Sequence, residues 1–252
     1  MSALVVGVTV FACLFAGALA GMSIRARLPK HHLSKETEDV VRLGIGVIGT
    51  MSALVLGLLL ATAKGSFDAK KSEIGQVFVD LILLDRQMAQ YGPEANEARD
   101  LLRRYTAERI DVIWPDEASH PVPNDPNSWR LLEDIQSGLR ALVPANDAQR
   151  WLRDRALQVS ADLSRTRWLL REAVQGSIPR PFLIVVVFWL TVIFASFGLF
   201  APRNVTVIVV LLVCSLAVSG AVYLILELDQ PFGGMIRISS VPARAALALI
   251  GH

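Results

Sequence analysis

Few residues in this chain have the type and spacing that chemistry needs. His31 and His32 are adjacent, so they cannot share one helix face. With four histidines in all, and no cysteine or aspartate cluster at ligand spacing, no metal site is expected. Cys13 and Cys214 both fall inside apolar runs. No glycine-rich phosphate loop, nucleophile elbow or pair of carboxylates in a plausible cleft is present. Neither an enzyme nor a cofactor is expected. What remains is placed charge. Lys64, Lys70 and Lys71 follow an apolar run and would attract anions, with Asp68 and Glu73 close enough to blunt that field. Asp85 sits at the centre of an apolar stripe formed by Ile74, Phe78, Leu81 and Met88, and Arg109 holds the same central place on the next helix. A charge in such a position needs a partner. In a hairpin turning at Gly92, Asp85 lies opposite residues near 99 and Arg109 lies opposite Gly75. That offset is about ten residues, or roughly 15 Å at the rise of a helix. The two are therefore expected to pair separately, on the long third helix of the insert or on a neighbouring subunit, in a structural role.

The elements that carry these residues are set by hydropathy. Hydrophobic residues make up 53% of the 252, and charged residues only 19%. Mean hydropathy is +0.46, which is too apolar for an ordinary soluble domain. The excess is concentrated in four runs free of Asp, Glu, Lys, Arg and His: Leu4 to Ile24, Leu43 to Ala63, Pro181 to Ala201 and Val205 to Leu226. Each is long enough to cross about 30 Å of hydrocarbon. The first lacks a basic leader and a separate polar cleavage region, so it reads as a retained span. The third and fourth, separated by Pro202-Arg203-Asn204, form a tight hairpin. The net charge of +2 is too small to imply nucleic-acid binding.

Residues 64–180 are polar, hold 17 of the 25 basic residues, and are helical in period. Ser72 to Gln90 is the first helix, broken by Tyr91-Gly92-Pro93. Ala95 to Trp114 follows, with Ala98, Leu101, Leu102, Tyr105, Val112 and Ile113 as its apolar face. Pro115 to Pro126 is a loop, Ser128 to Leu142 a short helix, and Asn146-Asp147 caps a long helix to about Gln175. The fold class is all-α. The expected organisation is 1–63 (two spans), 64–180 (helical domain), 181–227 (two spans) and 228–252 (tail).

The second span carries two readable ladders. Gly49, Ala53, Gly57 and Ala61 recur every four residues, a small-residue face suited to helix packing in lipid. Thr50, Leu54 and Leu58 stand at about 100°, 140° and 180° from Gly49 at 100° per residue. In an oligomer packed through its glycines, those three would face the symmetry axis and form a hydrophobic constriction.

Two stretches carry a family resemblance. Ala53-Leu54-Val55-Leu56-Gly57-Leu58, running into Lys64 to Gly75, resembles the second-span motif of the bestrophin channels. After the fourth span, Glu227-Leu228-Asp229-Gln230-Pro231-Phe232-Gly233-Gly234 resembles their Pro-Phe-Gly signature with its preceding acids. The order of parts also agrees. Over nearly its whole length the chain is identified as a member of the bacterial bestrophin-like domain family. The resemblance implies a multi-pass homo-oligomer of the bacterial inner membrane, pentameric, in contact with lipid and passing inorganic ions along an axis lined by the second span. The lysine crown would favour anions, although bestrophins of either selectivity exist. The sequence departs from bestrophins in three ways. The tryptophans after the second span are replaced by Phe67 and two lysines, the neck is not aromatic, and Met235 to Ser239 replaces the calcium-binding acids. The rival reading is a non-conducting membrane scaffold whose helical domain binds a partner.

Sidedness is contested. The resemblance puts the insert in the cytosol. The loop at 24–42 carries Arg25, Arg27, Lys30, Lys35 and Arg42, which by the positive-inside rule would put that loop there instead. Seven basic residues flanking the insert near its spans, and acids sharing the loop, favour a cytosolic insert.

Overall fold

The computed structural model describes residues 2–29, 34–114, 130–172, 180–231 and 234–251. Among these residues the structure is helical and contains no strand. In chain order the helices are α1 (Ala3–Arg25), α2 (Lys35–Tyr91), α3 (Asn96–Ile113), α4 (Arg130–Ala141), α5 (Asp147–Glu172), α6 (Arg180–Phe200), α7 (Val205–Leu228) and α8 (Val241–Leu249). A 3₁₀ turn, Pro93–Ala95, joins α2 to α3. Four helices (α1, α2, α6 and α7) are long and apolar enough to cross a membrane.

Local chemistry fixes the ends. Asn146 Oδ1 accepts from the Gln149 amide at 2.8 Å and starts α5. Asn204 does the same for Val207 at 2.8 Å, which lets α7 begin one short turn after α6. Gly92 has φ 131°, a conformation that side chains disfavour, and it ends α2.

The second span and the first helix of the insert are not separate elements. They form one 57-residue helix, α2. Between residues 35 and 92 there is no proline, and a lone glycine such as Gly65 costs only about 1 kcal/mol in a helix. A change from apolar to polar composition ends the membrane run without ending the helix. The chain divides into two compact units, Met1–Phe67 with Gly176–Ile236, and Asp68–Gln175 with Arg237–His252. α2 contributes to both.

The membrane unit is built on α1. Its Val10, Leu14, Ala18 and Met22 pack with Val186, Leu190, Ile193 and Phe194 of α6, Val222 and Ile225 of α7, and Leu59 and Ala63 of α2. α1 and α6 run parallel and very close. A Cβ built on Gly21 would stand 1.9 Å from the Ala195 carbonyl oxygen, and one on Gly198 would stand 1.9 Å from that of Ala18. Small residues supply this approach because lipid gives helices no hydrophobic drive to pair. The two C-termini then exchange caps. Arg25 donates to the carbonyls of Phe200, at 3.0 Å, and Ala201, and Arg203 donates to the Met22 carbonyl at 2.6 Å.

In the helical unit, Ile74, Phe78, Leu81, Leu84 and Met88 of α2 form the buried stripe. Leu102, Tyr105 and Ile110 of α3, Leu132, Ile135 and Leu139 of α4, and Leu152, Ala156, Val159 and Leu163 of α5 complete the core. On α3 the face passes through Ile110, whereas Val112 is exposed, because the stripe follows the four-residue step from Leu102 through Thr106. The tail also holds a helix that periodicity did not announce. Ala243 and Ala246 of α8 are buried, and Trp114 Nε1 donates to the Ile238 carbonyl at 2.8 Å just ahead of it.

Candidate pore-lining face

Only one side of α2 is covered within the membrane unit. Ser52, Leu59 and Ala63 are buried, and Ile45, Ile48, Val55 and Leu56 pack partly against the same core. On a helical wheel Ser52, Leu59 and Ala63 lie at about 300°, 280° and 320° from Gly49. The centre of the Thr50, Leu54 and Leu58 ladder lies roughly 160° away. Leu54 is 70% exposed and Leu58 62%. Thr50 is also exposed, but its hydroxyl donates to the Gly46 carbonyl at 2.8 Å, so its one donor is used within the helix. Of the span's most apolar window only 11% is buried, against 22–28% for the other three.

The small-residue ladder is not the face that packs inside the chain. A Cβ on Gly49 would reach only Ile193 Cδ1 at 4.0 Å, and one on Gly57 would meet nothing within 4 Å. Ala53 and Ala61 are exposed. A four-residue step drifts by about 40° each time, so the ladder starts at the edge of the packed side and leaves it. The close crossing of the fold lies elsewhere, at Gly21 and Gly198, where Gly17-Ala18-Leu19-Ala20-Gly21 was the available signal.

The three lysines also part company. Lys64 and Lys71 are exposed, with Lys64 Nζ 5.6 Å from the centre of the Phe67 ring. Lys70 is only 6% exposed, since it falls on the packed side of α2 between Phe67 and Ile74.

Asp85 is 1% exposed and is held by Arg99, whose Nε and Nη2 reach Oδ1 and Oδ2 at 2.9 and 3.3 Å. The partner stands on α3, not on α5 or another subunit. The hairpin register already pointed to residue 99. The Asp85 carboxylate, by accepting from Arg99, raises the guanidinium pKa above its ordinary value. Arg109 does not meet Asp85. It lies half-buried beside a cavity of about 20 Å³ shared with Phe78, Leu81, Tyr105 and Leu163, and it has no ion pair among the described residues.

At the end of α7, Glu227 is 6% exposed and accepts from the amides of Met235 at 2.8 Å and Ile236 at 3.5 Å. The Tyr223 hydroxyl bonds to the same carboxylate. Gly234, at φ 86°, closes the turn, and a Cβ there would come 2.1 Å from Glu227 Oε2. Asp229 caps α7 and Pro231 is buried. Phe232, Gly233, His31 and His32 lie outside the described residues. Among the described residues no group of three or more His, Cys, Asp or Glu side chains is placed to hold a metal ion.

The profile of the bestrophin-like domain family matches residues 12–243. Crystal structures of a bacterial bestrophin homologue from Klebsiella pneumoniae share the fold. One point variant superposes with a TM-score of 0.69 at 15% identity, over 97% of this chain and 100% of its own. Another gives 0.69 at 15% identity, over 100% and 99%. No curated protein matches the sequence.

Proposed function

The chain belongs to the bestrophin-like family, and from that premise we propose that it is the subunit of an oligomeric ion channel of the bacterial inner membrane, with α2 lining the axis. The observation that carries this reading is the exposed side of α2. A membrane helix with only 11% of its most apolar window buried, and with Leu54 and Leu58 turned away from its own chain, has one whole side free for other copies and for an axis. Five copies, as the resemblance implies, would stack rings of Thr50, Leu54 and Leu58. Narrow rings of leucine exclude water, so the resting neck conducts poorly. Ala53, Gly57 and Ala61, on the flank beside these rings, would take the adjacent subunit's helix, while Gly49, at the edge of the packed side, faces Ile193 of α6. Lys64 and Lys71, multiplied by the subunits, would raise the anion concentration at the mouth, while Lys70 contributes less because it is buried. Both termini and the helical insert are taken to be cytosolic.

The test is ion flux through purified protein in liposomes, with chloride and potassium compared. Because the resting neck conducts poorly, the Leu54→Ala, Leu58→Ala double variant is measured beside wild type, and flux of neither ion through a normally assembled double variant would leave a non-conducting scaffold as the reading. Sidedness is tested separately by an Asn124→Cys variant, which an impermeant thiol reagent should fail to label in intact cells. Labelling would invert the topology.

A further inference from the structure

A crevice of about 550 Å³ opens on the flank of the membrane unit between the first turns of α2's apolar run and the last turns of α6. Its size is within the roughly 300–1,000 Å³ typical of small-molecule sites. Two glycines make it. A Cβ on Gly46 would meet nothing within 4 Å, and one on Gly49 would touch only Ile193 Cδ1. The lining is polarised along its length. Arg42, largely exposed, lines it together with Ala201 and Pro202, beside the ends of both apolar runs. Ile45, Gly49, Ile193 and Phe197 line the inward part. From Arg42 to Gly49 is about 10 Å along the helix. A charged mouth at the edge of the hydrocarbon and an apolar floor running inward repeat the polarity of a phospholipid with a negative head.

The charge at that edge agrees. Arg25 and Arg203 are hydrogen-bonded to carbonyls, which does not neutralise them, and Arg27 is exposed nearby in sequence. Arg42 pairs with Glu38 one turn earlier, with the Arg42 side chain 67% exposed. An exposed pair of this kind is weak, and a guanidinium has five donors, so Arg42 keeps capacity for a phosphate.

We propose that this crevice binds an anionic phospholipid, with its phosphate on Arg42 and an acyl chain along Gly46, Gly49 and Phe197. The proposal does not depend on conduction. Native mass spectrometry of the assembled protein in detergent tests it, with added phosphatidylglycerol compared with phosphatidylcholine of the same chains. Wild type should retain phosphatidylglycerol in preference. Arg42→Gln should bind it roughly ten-fold more weakly, as expected for losing a charge-assisted contact. Arg27→Gln should leave it unchanged, and Gly46→Leu should lose both lipids without changing subunit number. Equal retention of the two lipids by wild type, or an equal loss in Arg27→Gln and Arg42→Gln, would mean that only diffuse charge is at work and would overturn the proposal. A lower subunit number in Gly46→Leu would overturn it too, by showing that another copy fills the crevice.

Discussion

Gly21 and Gly198 hold α1 and α6 apart by no more than backbone thickness, each leaving 1.9 Å between an imagined Cβ and the other helix's carbonyl oxygen. Neither position can take a side chain without moving a helix. Overpacking of this kind costs about 1–3 kcal/mol, occasionally more. Gly21→Ala and Gly198→Ala should each lower the unfolding temperature of the purified protein in detergent. Wild-type melting in either variant would show that the helices can separate freely.

Asp85 and Arg99 give a second prediction. Removing one member of a buried pair typically costs about 3–5 kcal/mol, because the other is left uncompensated. Asp85→Asn and Arg99→Met should each destabilise strongly, and Asp85→Leu with Arg99→Met should recover much of the loss. Thermal denaturation of the three variants checks this. An additive double variant would mean that the two side chains act independently.

The Glu227 turn gives a third. Glu227→Gln weakens two hydrogen bonds to backbone amides, each worth about 1.5–3 kcal/mol when one partner is charged. Gly234→Ala adds a Cβ where the carboxylate stands. Both should speed hydrogen exchange at the amides of Met235 and Ile236 with little effect on α1. Unchanged exchange there would remove Glu227 from the turn.

Calcium is the fourth. Calcium takes six to eight oxygen ligands, and residues 230–252 contain no acid. Glu227 is already used by Met235 and Ile236. Micromolar calcium should change neither flux nor melting temperature, and a reproducible shift in either would contradict this reading of the tail.

The neck gives the fifth. Leu54→Ala with Leu58→Ala should raise ion flux by wetting the constriction. Ala53→Leu should instead alter subunit number, since Ala53 is exposed within its own chain. If the double variant assembles normally and flux is unchanged, α2 does not form the gate.

Hydropathy made the four spans legible, because a run of about 20 apolar residues has few other uses. It did not show that α2 continues through Ala63 and Lys64, since solvent changes there but backbone preference does not. Spacing located Asp85 opposite residue 99, yet Arg99 became its partner only once the hairpin register was fixed in three dimensions. Periodicity also finds small faces without saying which is occupied. The regular ladder from Gly49 to Ala61 lies mostly uncovered within the chain, while the shorter Gly17 to Gly21 segment makes the close crossing. α8 was missed because its nine residues make only about two and a half turns, too few for a helical period to register.

The exchange of caps between Arg25 and Arg203 sets an order on biogenesis. The Phe200 carbonyl that Arg25 caps is 175 residues away in sequence. At a synthesis rate of about 5–20 residues per second, roughly 9–35 s pass between the making of the two ends. Through that interval α1 lacks the helix its glycine face packs against and the Arg203 donor to its Met22 carbonyl. The first helix made is thus completed by one of the last, and a chain stalled before α6 would present an unfinished α1 to membrane quality control.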